Sequence, residues 1–154
     1  MSAAYDPENV FAKILDGAIP SFKLFETEHV LAILDAFPMS KGHALLLPKA
    51  RYANILGIFP CFFLARYSDM PADVAANLFR EIPRLAKAIQ EATGCDGINI
   101  VQNNGPASGQ AVFHVHVHVI PRFDNDGLIK LPPSGGMISK EDGIALVTKI
   151  QEKL

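Results

Sequence analysis

The stretch "QAVFHVHVHVIPR", residues 110–122, sets His114, His116 and His118 at alternate positions with valines between them. The chain has five histidines in 154 residues, so three of the five fall within five consecutive positions. On a strand, successive side chains point to opposite faces, and residues two apart stand roughly 6.6–7 Å from each other. The three imidazoles then line one face, and Val115, Val117 and Val119 line the other. The valine face is expected to pack under a helix, so the segment reads as a strand whose sheet is covered on one side and polar on the other.

Working outward, "GINIVQ" (residues 97–102) reads as the preceding strand and "NNGPASG" as the polar loop between the two. Before it, residues 71–94 keep Val74, Leu78, Ile82, Leu85 and Ile89 at helical spacing, with Gly94 as the stop. Pro83 lies inside that pattern and is expected to kink the helix or divide it. Nearer the start, residues 22–26 and 29–36 read as two strands joined by a tight turn, and "ALLLP" (44–48) as a third. A short helix is expected over about residues 7–15, with Asp6 as N-cap, Pro7 in the first position and Gly17 closing it. The last helix is expected over about residues 139–153. Strands, helix, strands and helix in this order predict an α+β domain on a mainly antiparallel sheet.

Composition narrows the function. Length and 49% hydrophobic content suit one compact domain spanning residues 1–154. A net charge of −2 argues against nucleic acid or an anionic membrane as partner, since both select clustered Lys and Arg. The longest apolar run, residues 55–65, is too short for a membrane span, which takes about 20 residues. The N-terminus shows no basic segment followed by an apolar one, so a cytoplasmic protein is expected. Cys61 and Cys95 form no CxxC pair and read as reduced, buried thiols.

Three imidazoles in register admit three readings. A purely structural row leaves ring nitrogens that each need a partner. A metal site needs further ligands from His29, His43 or a carboxylate, and no short motif supplies them at a recognisable spacing. In the third reading one imidazole is a nucleophile, oriented by its neighbours, which suits a side chain whose unperturbed pKa is about 6.5. The preceding "QNNGPASGQ" favours the third, because small residues let backbone approach a ligand and amide and N–H groups can hold phosphate oxygens.

The "HVHVHVI" run resembles the His-φ-His-φ-His-φ-φ signature of the histidine triad (HIT) superfamily of nucleotide hydrolases and transferases. The likeness extends to "VFAKILDGAIPSFKLFETEHVLAILDAFPMSKGHALLLPKARYANI" and to "GINIVQNNGPASGQAVFHVHVHVIPR". It implies a HIT-like fold with a five-stranded sheet and flanking helices, paired in a homodimer into a ten-stranded sheet with two nucleotide sites. It further implies that His116 attacks the α-phosphate of a nucleoside phosphoramidate or dinucleoside polyphosphate, with neither cofactor nor metal. His114, His118 and His43 match the supporting histidines, and Asp35 the carboxylate that binds ribose hydroxyls. Asn103, Gly109 and Gln110 match the phosphate-contacting loop, and Phe11, Ile14 and Ile33 the apolar wall of a base pocket.

Two departures accompany the resemblance. The position after "GQ" is Ala111, where the phosphoramidase branch often has Ser and the dinucleoside polyphosphate branch Thr. Residues 57–68, "GIFPCFFLARYS", look like an insertion, and their four aromatics call for burial or an interface. A nucleotide-binding regulator with little turnover and a metal-dependent hydrolase stand as alternatives.

Overall fold

The core is organised by β3 (Ala44–Pro48), whose five residues are all buried. An unbroken apolar strand belongs in the middle of a sheet with both faces covered. In a computed structural model, which describes residues 5–56, 70–128 and 136–154, β3 holds that place. The sheet runs β1 (Lys23–Glu26), β2 (Val30–Leu34), β3, β5 (Val117–Arg122), β4 (Gly97–Val101), and every neighbouring pair is antiparallel. The expected α+β architecture with a five-stranded antiparallel sheet is what the chain forms.

Side-chain alternation sorts the apolar residues into two clusters. On one face Ala44, Leu46, Val115, Val117 and Val119 meet Leu78 of α2 (Ala72–Arg80) and Leu85 and Ile89 of α3 (Ile82–Thr93). The valines of the triad segment therefore pack under helix, as their period implied. On the other face Leu31, Ile33, Leu45 and Leu47 meet Phe11 of the short α1 (Val10–Leu15).

The helical stretch around Pro83 is divided, as expected. The break falls at Glu81, and Pro83 lies in the first turn of α3, where its missing N–H leaves no hydrogen bond unmade. The turn from β2 to β3 tucks against α3 at Gly42, whose φ is +89°, and a Cβ there would stand 2.6 Å from the Thr93 methyl. Only glycine fits, and the next residue is His43.

Two local expectations require correction. The first helix is capped by Asn9, whose side chain accepts the Ala12 N–H at 2.9 Å; Asp6 instead accepts the Glu8 N–H in a turn ahead of the helix. Pro7, with its fixed φ, serves that turn rather than the helix start. The triad segment is also not all strand, since β5 begins at Val117. Upstream of it the Val115 N–H donates to the Tyr52 carbonyl, and Pro48, at the facing end of β3, has no N–H with which to extend the ladder.

The last helix, α4 (Lys140–Gln151), is capped by Ser139 and buries no residue. Ile144, Val147 and Ile150 on it are half-exposed or more. Cys95 is a buried free thiol; Cys61 and the expected insertion at 57–68 lie outside the described residues. Among the described residues no helix is long and apolar enough to cross a membrane.

Candidate functional site

Because α1 spans only six residues, it covers part of its sheet face and leaves the rest open. A cavity of about 720 Å³ opens there. Its floor includes Ile33, Leu45 and Ile120, and α1 contributes Phe11 and Ile14 to its wall. His116 and His118 face it, together with Asp35 from the end of β2 and Asn103, Gly109 and Ala111 from the loop after β4.

Hydrogen bonds assign a proton to each imidazole of the site. The Met39 N–H donates to His43 Nδ1 at 3.1 Å, so neutral His43 carries its hydrogen on Nε2. That Nε2–H donates to His118 Nδ1 at 3.0 Å. His118 in turn keeps its hydrogen on Nε2, free to serve as a donor. His116 Nδ1 lies 2.6 Å from the His114 carbonyl, which only accepts, so the hydrogen is on Nδ1 and Nε2 keeps a bare lone pair. His114 donates from Nε2 to the Pro48 carbonyl at 2.9 Å.

Burial keeps all four rings neutral. It pushes His114 down to about 4, against the pull of the Pro48 carbonyl, and His118 down to about 4 with help from the neighbouring His116 and His43. His43 and His116 are also lowered by burial, opposed at both by Asp35 and at His116 by the His114 carbonyl as well. A neutral imidazole is a nucleophile that needs no prior deprotonation.

Of the residues expected from the sequence, Phe11, Ile14, Ile33, Asp35, Asn103, Gly109, His116 and His118 all line the cavity. His43 and His114 stand behind it as partners of the lining rings. Gln110 is placed differently: its buried amide donates to the carbonyls of Ala53 and Val112 and accepts the Gly105 N–H at 2.8 Å. It braces the loop from behind and does not face the cavity. His29 is on the surface beside Glu28.

Asp35 accepts the Phe37 N–H through Oδ1 at 2.9 Å, and its Oδ2 lies 3.5 Å from His43 Nδ1. Asp35, His43 and His118 thus bring three donor atoms within 4.8 Å of one another, the kind of group that holds a divalent metal. Both nitrogens of His43 and Nδ1 of His118 are already engaged in the hydrogen bonds just described, which a metal bound through them would displace.

The HIT domain matches residues 16–125. The chain belongs to the HIT domain family. It is 41% identical over 118 residues to an uncharacterized HIT-like protein of Methanocaldococcus jannaschii, covering 77% of this chain and 81% of that one. It is 38% identical over 127 residues to adenylylsulfatase HINT3 of Arabidopsis thaliana, covering 82% of this chain and 58% of that one. It is 38% identical over 128 residues to adenosine 5'-monophosphoramidase HNT1 of Saccharomyces cerevisiae, covering 82% and 71%. A crystal structure of a HIT family protein from Bacillus anthracis superposes with a TM-score of 0.84 at 33% identity, covering 98% of this chain and 99% of that one.

Several parts of this HIT site carried no signal in the sequence. Tyr5 reaches the ring of His114 across 109 positions, and the backbone N–H of Met39 sets the tautomer of His43. Phe22, just ahead of β1, and Phe37 and Met39, in the turn after β2, line the cavity and are exposed, and exposed apolar residues at such places ordinarily mark nothing. Leu45 and Ile120, by contrast, follow from alternation along their strands.

Proposed function

We propose that this HIT-family hydrolase cleaves nucleoside phosphoramidates or dinucleoside polyphosphates at the α-phosphate, through a nucleotidyl-His116 intermediate. The observation that carries this reading is the His116 ring itself, pinned by Nδ1–H to the His114 carbonyl with its Nε2 lone pair left for the cavity. The names of two relatives agree, since an adenylylsulfatase and an adenosine 5'-monophosphoramidase both act on an adenylyl group.

In the first step Nε2 bonds to phosphorus, and the leaving group departs with the bonding electrons and takes a proton from water. In the second, water adds to phosphorus and gives up a proton to the hydroxide left by the first step, the P–N bond breaks, and the lone pair returns to Nε2. Holding the ring in place makes the attack effectively intramolecular. The Nε2–H of His118 is suited to donate to a phosphate oxygen as charge gathers on it. Asp35 suits a pair of ribose hydroxyls, because a carboxylate accepts from both. Asn103 and the Gly109 backbone face the phosphates, with Gln110 as the brace of their loop, and Phe11, Ile14 and Ile33 form the apolar side against the base.

Ala111 lines the cavity and offers no hydroxyl to the leaving group. This observation favours a second reading, a nucleotide-binding regulator with little turnover. Turnover measured on adenosine phosphoramidate and on diadenosine polyphosphates separates the two.

The reading includes a cytoplasmic homodimer. Two features support the homodimer: among the described residues β4 is an edge strand paired only with β5, and α4 carries Ile144, Val147 and Ile150 half-exposed or more. Light scattering of the purified protein is expected to give twice the chain mass.

Replacing His116 by Ala is expected to lower turnover by about 10²–10⁴ or more while nucleotide still binds. Mass spectrometry of protein quenched without acid during turnover is expected to find one nucleoside monophosphate on residue 116. An adduct on His114 or His118 would reassign the nucleophile.

A further inference from the structure

His114 is the most deeply buried member of the triad, wholly screened from solvent and absent from the cavity wall. Both of its ring nitrogens are nevertheless spoken for. Nε2 must carry hydrogen, because its partner 2.9 Å away is the Pro48 carbonyl. Nδ1 is then bare, and the Tyr5 hydroxyl 2.8 Å away is its donor. The two rings meet edge to face, 5.7 Å apart and 60° inclined. Burial raises the Tyr5 phenol above its ordinary value, which keeps that proton on oxygen throughout the neutral range.

The His114 ring matters because of what holds residue 114. The β5 ladder starts at Val117, so among the described residues no strand ladder includes the backbone carbonyl that fixes His116. Its supports are the Val115 N–H on the Tyr52 carbonyl, and the His114 side chain, fastened at one nitrogen by Pro48 and at the other by Tyr5. Phe11 closes the arrangement, with its ring 6.2 Å from that of His114 and 4.9 Å from that of His116.

We propose that Tyr5 is a positioning residue for the nucleophile: its hydroxyl locks the tautomer and orientation of His114, and thereby the carbonyl that aims His116. In the locked arrangement each group donates in one direction, Tyr5 to His114, His114 to Pro48, and His116 back to the His114 carbonyl. Without the hydroxyl, Nδ1 of His114 is a buried acceptor with no donor. Nothing then holds the ring at Nδ1, and any turn that brings this nitrogen to another donor loosens its bond to Pro48 and disturbs residue 114.

The inference rests on His116 as nucleophile, so its test has one arm that needs no turnover. Nitrogen-15 NMR of the imidazoles is expected to show, in the parent protein, His114 with hydrogen on Nε2 and His116 with hydrogen on Nδ1. In Tyr5→Phe, which keeps the ring and removes only the hydroxyl, His114 is expected to lose its single tautomer and His116 to lose part of its Nδ1–H signal. In the kinetic arm, with adenosine phosphoramidate as substrate, kcat is expected to fall about tenfold to hundredfold with KM unchanged, the scale of a slightly misaimed reacting group. Tyr5→Leu, which removes the ring as well, is expected to lose as much kcat as Tyr5→Phe if the hydroxyl is what acts. An unchanged His116 signal in Tyr5→Phe overturns the proposal, whether or not the parent turns over substrate. Parental kcat in Tyr5→Phe overturns it equally. A parent protein that shows the expected tautomers and their loss in Tyr5→Phe, yet cleaves no nucleotide, sinks the functional reading and leaves the positioning role standing.

Discussion

The two faces of the sheet are built from the same strands and differ in everything else. On one, Leu46 and the three triad valines are sealed under α2 and α3; on the other, Leu45 and the histidines meet a helix of six residues and a cavity of about 720 Å³. Residues 115–119 contribute to both by alternation alone. Stability and chemistry are thus separated by one residue along the chain, and the difference comes from how much helix each face receives.

A break in the sealed face is expected to have the largest effect. Leu46 is fully buried between α2/α3 and the strands, and Leu46→Ala is expected to cost about 2–5 kcal/mol, for lost burial plus the cavity left behind. Urea denaturation measures it. Activity per folded molecule is expected to hold, and a large loss there would mean that the two faces are not independent.

On the open face Asp35→Ala is expected to leave the urea midpoint nearly unchanged and to weaken nucleotide binding by about tenfold to hundredfold. That matches charge-assisted hydrogen bonds of roughly 1.5–3 kcal/mol. Equal affinity of the parent protein for ribose and 2′,3′-dideoxyribose nucleotides would remove the basis for the assignment.

Acid is expected to act through the open face, and more gently. His114 and His118 titrate at about 4 in the folded chain and near 6.5 when unfolded, so below 6.5 the unfolded chain binds more protons. Their stabilisation is complete above pH 6.5 and is lost as the pH falls from there towards 4. From pH 7 to 5.5 His114 by itself is expected to account for roughly 1 kcal/mol. Thermal melts of the parent and of His114→Asn across that range check the sign, since the variant is expected to lose less stability on acidification.

Much of the fold was legible in residues 97–122 and 22–48, because strand period and turn residues act locally. The five strands, the helix divided near Pro83 and the opposed faces of the triad all follow from spacing. The first helix cap is not legible in the sequence because Asp6 and Asn9 are both good caps, and the Pro7 turn decides between them. The resemblance places Gln110 in the phosphate-contacting loop with Asn103 and Gly109, and the fold turns its amide towards the carbonyls of Ala53 and Val112. Nothing in a linear reading distinguishes an amide aimed at a ligand from one aimed at its own loop.

By itself, the sequence determined which side chains share a face, since alternation and helical period are properties of the local backbone. It also narrowed the chemistry, because three imidazoles in register have few uses, and the HVHVHVI run carries the resemblance to the histidine triad family. The tertiary structure alone decided which nitrogen of each imidazole carries the hydrogen. For His114, His118 and His43 that choice belongs to Pro48, Tyr5 and His43, 66, 109 and 75 positions from the rings they meet, and to the backbone N–H of Met39; for His116 it belongs to the His114 carbonyl, two positions away, which those same contacts hold in place. A neutral imidazole has two tautomers of similar energy, so only an acceptor or donor fixed in space makes one of its nitrogens a nucleophile.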